Sequence, residues 1–472
     1  MAQTNKTNYG VNLRMLVMEM LLTENAYSHI IVRDVLNKYN YLSRQEKSFI
    51  KRLYEGTLER QIELDYVINR YSKIKTEKMK KVIRAIMRMG VYQILYMDSV
   101  PDAAACNEAV KLARKKGFST LGGFVNGVLR NIAREKENIE YTSLSVKYSM
   151  PEWIVDMWTG QLGLEKTKLV LAGLLEQHPV TVRFRDVPEI TGVDMDTAVS
   201  AVQKAIDSQG GKMERHPYLP FAYKVSGTDD ITKLPYYEDG AFVIQDVSSM
   251  LAVAAIGIKK YIDIKNMDQG GIKEPVRVLD LCAAPGGKSM LAADLLEECA
   301  INYTVISRDI SENKIDLMRQ NFDRCRLKHT MAEVGDALLK DDGLVGTADI
   351  VIADVPCSGL GVSGRKRDIK YNITPEAVDH IIKLQRQILQ MAAAYVKPGG
   401  RLLFSTCTIN QDENEKNFEW IKNEMKLTPV SLDDALPECL HTDTSANGYL
   451  QLLPGIHDTD GFFISVFEVL KA

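Results

Sequence analysis

Five short runs of β-branched and apolar residues punctuate the C-terminal half of the chain: "VRVLDL" (276–281), "YTVISRD" (303–309), "ADIVIAD" (348–354), "GGRLLFST" (399–406) and "GFFISVFEV" (461–469). They are near-continuously hydrophobic and separated by helix-length segments, the pattern of strands covered on both faces. That restricts this half to a doubly wound, mostly parallel sheet flanked by helices. Ligands of such sheets bind beyond the carboxyl ends of the strands. There the chain sets a glycine loop, three acids and two thiols.

The loop is "DLCAAPGGKS" (280–289), between the first strand and a helix. A glycine turn at a helix N-terminus brings backbone N–H groups close to a ligand, so Cys282, Ala283, Ala284, Pro285, Gly286, Gly287 and Lys288 are candidate contacts. Three ligands compete. A phosphate-binding G-x-x-x-x-G-K-[ST] loop is matched at Gly287, Lys288 and Ser289 but has Cys282 for its first glycine. The nicotinamide fingerprint G-x-G-x-x-G is absent. S-adenosylmethionine is the third, needing an acid at the second strand's end for its ribose. Asp309 stands there, Asp336 in "VGDAL" ends the expected third strand, and Asp354 ends the fourth. Their recurrence beside one glycine loop favours a nucleoside site.

Of the seven cysteines none forms a CxxC pair, so neither a disulfide framework nor a metal site is suggested. A lone cysteine is by default a small buried hydrophobe. Cys357 and Cys407, however, follow neighbouring strands and can face one pocket. A thiol with a pKa of about 8.5 needs a nearby positive group to act as a nucleophile, and Lys288 can supply it. A thiolate, a methyl sulfonium and an acid suit one reaction in particular. Carbon 5 of cytosine becomes nucleophilic once a thiolate adds to carbon 6, with Asp354 serving the N3 or amino edge. The residues alone do not say which thiol adds.

The chain is 472 residues long, enough for two or three domains. Residues 1–140 read as a helical bundle, 141–235 as a small α+β unit and 236–472 as the doubly wound domain. The net charge of −3 conceals an asymmetry: residues 1–140 carry 24 Lys and Arg against 15 Asp and Glu, a net of +9, leaving −12 for the rest. Lys81, Arg84 and Arg88 form part of a basic edge fit for a polyanion. No apolar run is long enough for a membrane span, and Arg14 and Glu19 interrupt the opening stretch where a signal peptide would be apolar. The expectation is a cytoplasmic protein that does not enter a membrane.

The motifs "DLCAAPGGKS", "DVPCSGLGV", "STCTI", "QDVSSM" and "DGFFISVF" resemble the RNA cytosine-C5 methyltransferases. "VPDAAACNEAV" and "GGFVNGVLRNI" resemble the NusB-like domain of one branch, the RsmB/Sun family of bacterial 16S rRNA enzymes. The resemblance implies an all-α NusB-like RNA-binding domain, a small α+β unit and a Rossmann-like methyltransferase domain. It also implies transfer from S-adenosyl-L-methionine to 16S rRNA by a monomer. Carried over, Cys407 is the nucleophile and Cys357 assists product release. Residues 282–288, Asp309, Asp336 and Asp354 hold the donor, and Lys288 and Asp354 also touch the base. Val355, Thr408 and Arg367 depart from common family residues but leave the thiols in place. Arg365 and Arg367, just after the fourth strand, are further expected RNA contacts. The rival readings are a different RNA (tRNA or 23S rRNA), an inert RNA-binding protein and a P-loop-like NTPase.

Overall fold

The computed structural model describes residues 10–23, 27–176, 179–228, 230–268 and 274–470. Residues 1–9, part of the stretch that argues against a signal peptide, lie outside the described residues. The chain forms two compact units: Met1–Glu176 with Ser363–Asn372, and Gln177–Val362 with Ile373–Ala472. Among the described residues no helix is long and apolar enough to cross a membrane.

The first unit is helical. The helix Lys81–Tyr96 buries Ile83, Ile86, Met87, Val91 and Ile94. Their recurrence every three or four residues puts them on one stripe. That stripe shares a core with Ile50, Leu53, Leu64, Val67 and Leu129. Each such side chain contributes about 1.5–3 kcal/mol when fully buried. A capping box between Ser43 and Glu46 starts the helix Arg44–Glu59, satisfying N–H groups that the first turn leaves open. This helix needs glycine at 56, where a Cβ would fall 2.0 Å from the Tyr92 ring. The later segment Ser363–Asn372 joins the same unit: Asp368 accepts from the Ser28 hydroxyl at 2.6 Å, and the Tyr371 hydroxyl donates to the Glu59 carbonyl at 2.6 Å.

In the second unit, strands β1 (Val180–Phe184), β2 (Lys212–Arg215), β3 (Ala222–Ser226) and β4 (Phe242–Ile244) make an antiparallel sheet of order β2-β3-β1-β4. The helix Met195–Ser208 buries Ala198, Val202 and Ile206 in its core. These elements span 180–244, while residues up to Glu176, which the expected 141–235 unit includes from 141 on, belong to the first unit.

The larger sheet comprises β5 (Val276–Asp280), β6 (Tyr303–Asp309), β7 (Thr330–Val334), β8 (Ala348–Asp354), β9 (Val396–Thr406), β10 (Thr428–Pro429), β11 (Tyr449–Leu452) and β12 (Phe462–Glu468). Its order is β10-β12-β9-β8-β5-β6-β7, with β11 also on β12. Strands β5 to β9 are parallel, and β12 runs antiparallel to β9. The Rossmann-like expectation therefore holds. Strands β10 and β11, of two and four residues, are too short to announce themselves as apolar runs.

Chain order runs outward from β5 through β6 to β7, then returns to β8 and β9 on the other side. The crevice beyond β5 and β8 is thus the point of reversal, where a ligand has room between diverging connections. The two sheets are joined by a buried charge cluster. Arg183 and Arg185, at the end of and just past β1, reach Asp294 on the helix Gly287–Glu298 at 2.6 and 2.8 Å. Burial pushes the Asp294 carboxyl up, but the two guanidinium groups hold it below its ordinary value.

Candidate active site

Strand register brings the expected residues to one edge. Asp280 is level with Ser307 on one side and Ile352 on the other, and Asp354 is level with Ser405. Residues a few places further on leave the sheet at the same end, which is where Lys288, Cys357 and Cys407 arise.

The loop Cys282–Gly286 turns directly into the helix Gly287–Glu298, whose N-cap is Gly286 in the left-handed region at φ +98°. A side chain is disfavoured there twice over, since a Cβ would also come within 2.8 Å of the Phe322 ring. Among the described residues no side chain caps this helix. Its first-turn N–H groups and dipole suit an anionic group.

Lys288, on that first turn, reaches Asp354 Oδ2 with its ammonium at 2.6 Å. The Ser405 hydroxyl donates to Oδ1 of the same carboxylate at 2.8 Å. The Lys288 ammonium also lies 5.1 Å from the centroid of the Phe462 ring. Asp354 is thereby held in one orientation by partners on both sides, an arrangement that settles the ordering of the group in advance. Beneath it, the Ser307 hydroxyl donates to Ser289 Oγ at 2.8 Å, and Ser289 donates to Asp280 Oδ2 at 2.7 Å. Asp280 Oδ1 is buried without a hydrogen-bond partner among the described residues. Burial pushes its carboxyl up to about 7, against the pull of Ser289 and Lys288.

The two thiols meet. Cys357 Sγ and Cys407 Sγ are 3.2 Å apart, and both residues are half-buried. The Cys357 thiol is pushed up, first by its hydrogen bond with Cys407, then by burial and by the charges of Cys407 and Glu413. Cys282 is also pushed up, by burial first and then by the nearby Asp280. It suits a neutral lining residue rather than a nucleophile.

Asp309 closes β6 and is buried, its carboxylate accepting from the Ser311 N–H at 3.2 Å and from the Lys314 ammonium at 3.3 Å. Asp336 lies just past β7, where its Oδ1 accepts from the Leu338 N–H at 2.9 Å. Sequence reasoning missed Asp280, Ser405, Phe462 and Glu413. Asp280 carried a signal, being a strand-closing acid like the other three.

In the helical unit, Lys81, Arg84 and Arg88 line a cleft of about 300 Å³ with Gln61 and Thr57. Two of the expected phosphate contacts have acidic partners within the chain. Arg88 is clamped by Asp65 at 2.5 and 2.7 Å, and Arg367 is gripped by Glu55 and Glu59, so neither presents an uncompensated charge. Arg365 is exposed, whereas Lys370 from the same basic segment is buried, which pushes its ammonium down to about 8.

A family model described as 16S rRNA methyltransferase RsmB/F matches residues 271–468, and one described as the NusB family matches residues 12–134. A probable ribosomal RNA small subunit methyltransferase B of Bacillus subtilis is 34% identical over 449 residues, covering 93% of this chain and 94% of that protein. A protein of the same description from Synechocystis is 28% identical over 465 residues, covering 96% and 98%. The crystal structure of PH0851 has the same fold, with a TM-score of 0.76 at 22% identity over 97% of this chain and 98% of that one. The methyl donor is S-adenosyl-L-methionine, as the methyltransferase model implies. Alignment to a 34%-identical relative over nearly its full length shows that the chain belongs to the ribosomal RNA small subunit methyltransferase B family.

Proposed function

We propose that the protein transfers the methyl group of S-adenosyl-L-methionine to carbon 5 of a cytosine in 16S rRNA, through a covalent bond between Cys407 and carbon 6 of the ring. The observation that carries this reading is the 3.2 Å approach of Cys357 and Cys407 at the sheet edge that also bears the Lys288–Asp354 pair. Two thiols with a held carboxylate have a use in adding to, and then leaving, an aromatic ring.

The residues present suit the donor. The N-terminus of Gly287–Glu298 would hold its carboxylate and Asp309 its ribose hydroxyls, with Cys282 and Ala283–Gly286 as a neutral wall. Asp336 would serve the adenine end. When bound, the donor supplies an electrophilic methyl on a positively charged sulfur.

Cys407 adds as thiolate to carbon 6, and the displaced ring electrons make carbon 5 an enamine carbon. Asp354, fixed by Lys288 and Ser405, holds the N3 and amino edge of the base. After carbon 5 has gained the methyl group, its proton passes to a base and the carbon 6–sulfur bond breaks, returning Cys407 as thiolate. Cys357 assists this release. The cytosine must be unpaired or flipped out, since thiol and methyl have to reach the faces of its ring, which stacked neighbours cover. The helical unit supplies RNA contacts through Lys81 and Arg84, with Arg365 beyond the Cys357 loop. The reading has the enzyme acting in the cytoplasm as a monomer.

The test is methyl transfer from labelled donor to unmodified 16S rRNA, 23S rRNA and tRNA, followed by bisulfite sequencing. One protected cytosine in 16S rRNA supports the reading. Label in another RNA corrects the substrate, and no label in any of the three favours an inert binding protein.

A further inference from the structure

A buried carboxylate braces the two thiol-bearing loops. Glu413 exposes no surface. Its Oε2 accepts from the Ser358 N–H at 2.8 Å and from Gln385 Nε2 at 3.1 Å. Its Oε1 accepts from the Ser358 hydroxyl at 2.5 Å and from Asn410 Nδ2 at 3.3 Å. A buried charge is costly unless so compensated. Four donors converge on this one carboxylate, and two belong to the residue that follows Cys357.

The link continues to the other thiol. Ser358 Oγ lies 2.7 Å from Thr408 Oγ1, and Thr408 follows Cys407. Because Ser358 gives its proton to Glu413, it accepts from Thr408, and the hydroxyl chain runs Thr408 to Ser358 to Glu413. The next residue, Asn414, accepts from Thr406 Oγ1 at 2.6 Å and donates to the Thr408 carbonyl at 3.0 Å. Consecutive residues thus grip the chain on both sides of Cys407 and on the far side of Cys357.

We propose that Glu413 is a positioning residue that, through Ser358 and Thr408, fixes the separation and relative reactivity of the Cys357 and Cys407 thiols. Its consequence for turnover rests on the methyl-transfer reading above, but the brace itself does not. The negative charge of Glu413 is also one of the causes that push the Cys357 thiol up, after its hydrogen bond with Cys407, burial and the charge of Cys407. The device therefore favours a proton on Cys357.

The experiment uses the full chain with Glu413→Gln and Ser358→Ala. Without RNA or donor, the pH dependence of iodoacetamide alkylation at Cys357 is followed by mass spectrometry. In Glu413→Gln the midpoint falls by about one pH unit, as removal of a nearby like charge predicts. A residue that merely supports the fold would leave that midpoint where it is. In both variants kcat falls by about 100-fold while KM for RNA is unchanged, the effect of slightly misplaced reacting groups. Should Glu413→Gln fail to fold, Ser358→Ala still removes one hydroxyl from the chain, and a wild-type kcat in it overturns the proposal. An unchanged Cys357 midpoint in folded Glu413→Gln overturns it as well. A shifted midpoint in a protein that methylates no cytosine leaves the brace standing and removes the reaction assigned to it.

Discussion

Cys357 Sγ and Cys407 Sγ lie 3.2 Å apart although 50 residues separate them in sequence. At that distance the pair cannot readily hold two negative charges, so one thiol ionises at the expense of the other. The thiol pushed up is Cys357, with Cys407 the foremost cause. Replacing Cys407 with Ala should therefore lower the pH at which Cys357 is alkylated by iodoacetamide, read by mass spectrometry of the modified peptide. A midpoint unmoved from wild type would mean that the thiols do not share a proton.

Asp309 has a buried carboxylate that accepts from the Ser311 N–H at one oxygen and from the exposed Lys314 ammonium at both. Hydrogen bonds to a charged acceptor contribute about 1.5–3 kcal/mol each. Asp309→Ala should weaken donor binding by about 10- to 100-fold in calorimetry, with RNA affinity unchanged. Equal donor affinity in the variant would move the ribose elsewhere.

Asp280 gives the fold a pH dependence of defined sign. Its carboxyl is raised to about 7 by burial, above an unfolded value of about 3.9. A raised folded value means that the stabilising contribution is complete below about pH 4 and is lost as pH rises through about 7. Asn imitates the protonated acid. Asp280→Asn should therefore gain stability relative to wild type as pH rises from about 4 to about 7 in denaturant titrations, and a pH-independent difference over that range would show that Asp280 stays ionised throughout it.

The basic surface contains two kinds of arginine. Lys81→Ala with Arg84→Ala should reduce RNA affinity and lower the salt slope by about 0.7 for each single-strand phosphate that is no longer neutralised. Arg367→Ala breaks its pairs with Glu55 and Glu59, so it should lower the melting temperature while leaving the salt slope alone. A reduced slope in Arg367→Ala would restore it as a phosphate-binding residue.

These cases mark what the sequence makes legible. The glycine loop, the strand-closing acids and the alternation of strands and helices are local, so they are visible in short windows and the sheet appears where they indicate. Partnerships are not local. Nothing near Arg367 reveals that Glu55 and Glu59, about 310 residues earlier, neutralise it, nor that Asp294 answers Arg183 and Arg185. A run of positive charge shows where cations are but not which acids the fold returns to them. The meeting of the two thiols, and the Thr408–Ser358–Glu413 hydrogen bonds between their loops, are likewise unreadable from either motif, because the partners lie about 50 residues apart.

The most direct test of the account is a covalent one. Cys357→Ala, Cys407→Ala and the double variant are incubated with unmodified 16S rRNA and S-adenosyl-L-methionine, and the products are separated by denaturing electrophoresis. If Cys407 adds to cytosine and Cys357 assists its release, Cys357→Ala alone retains an RNA–protein adduct, and Cys407→Ala and the double variant retain none. An adduct in Cys407→Ala that disappears when Cys357 is also replaced would contradict the assignment and make Cys357 the nucleophile.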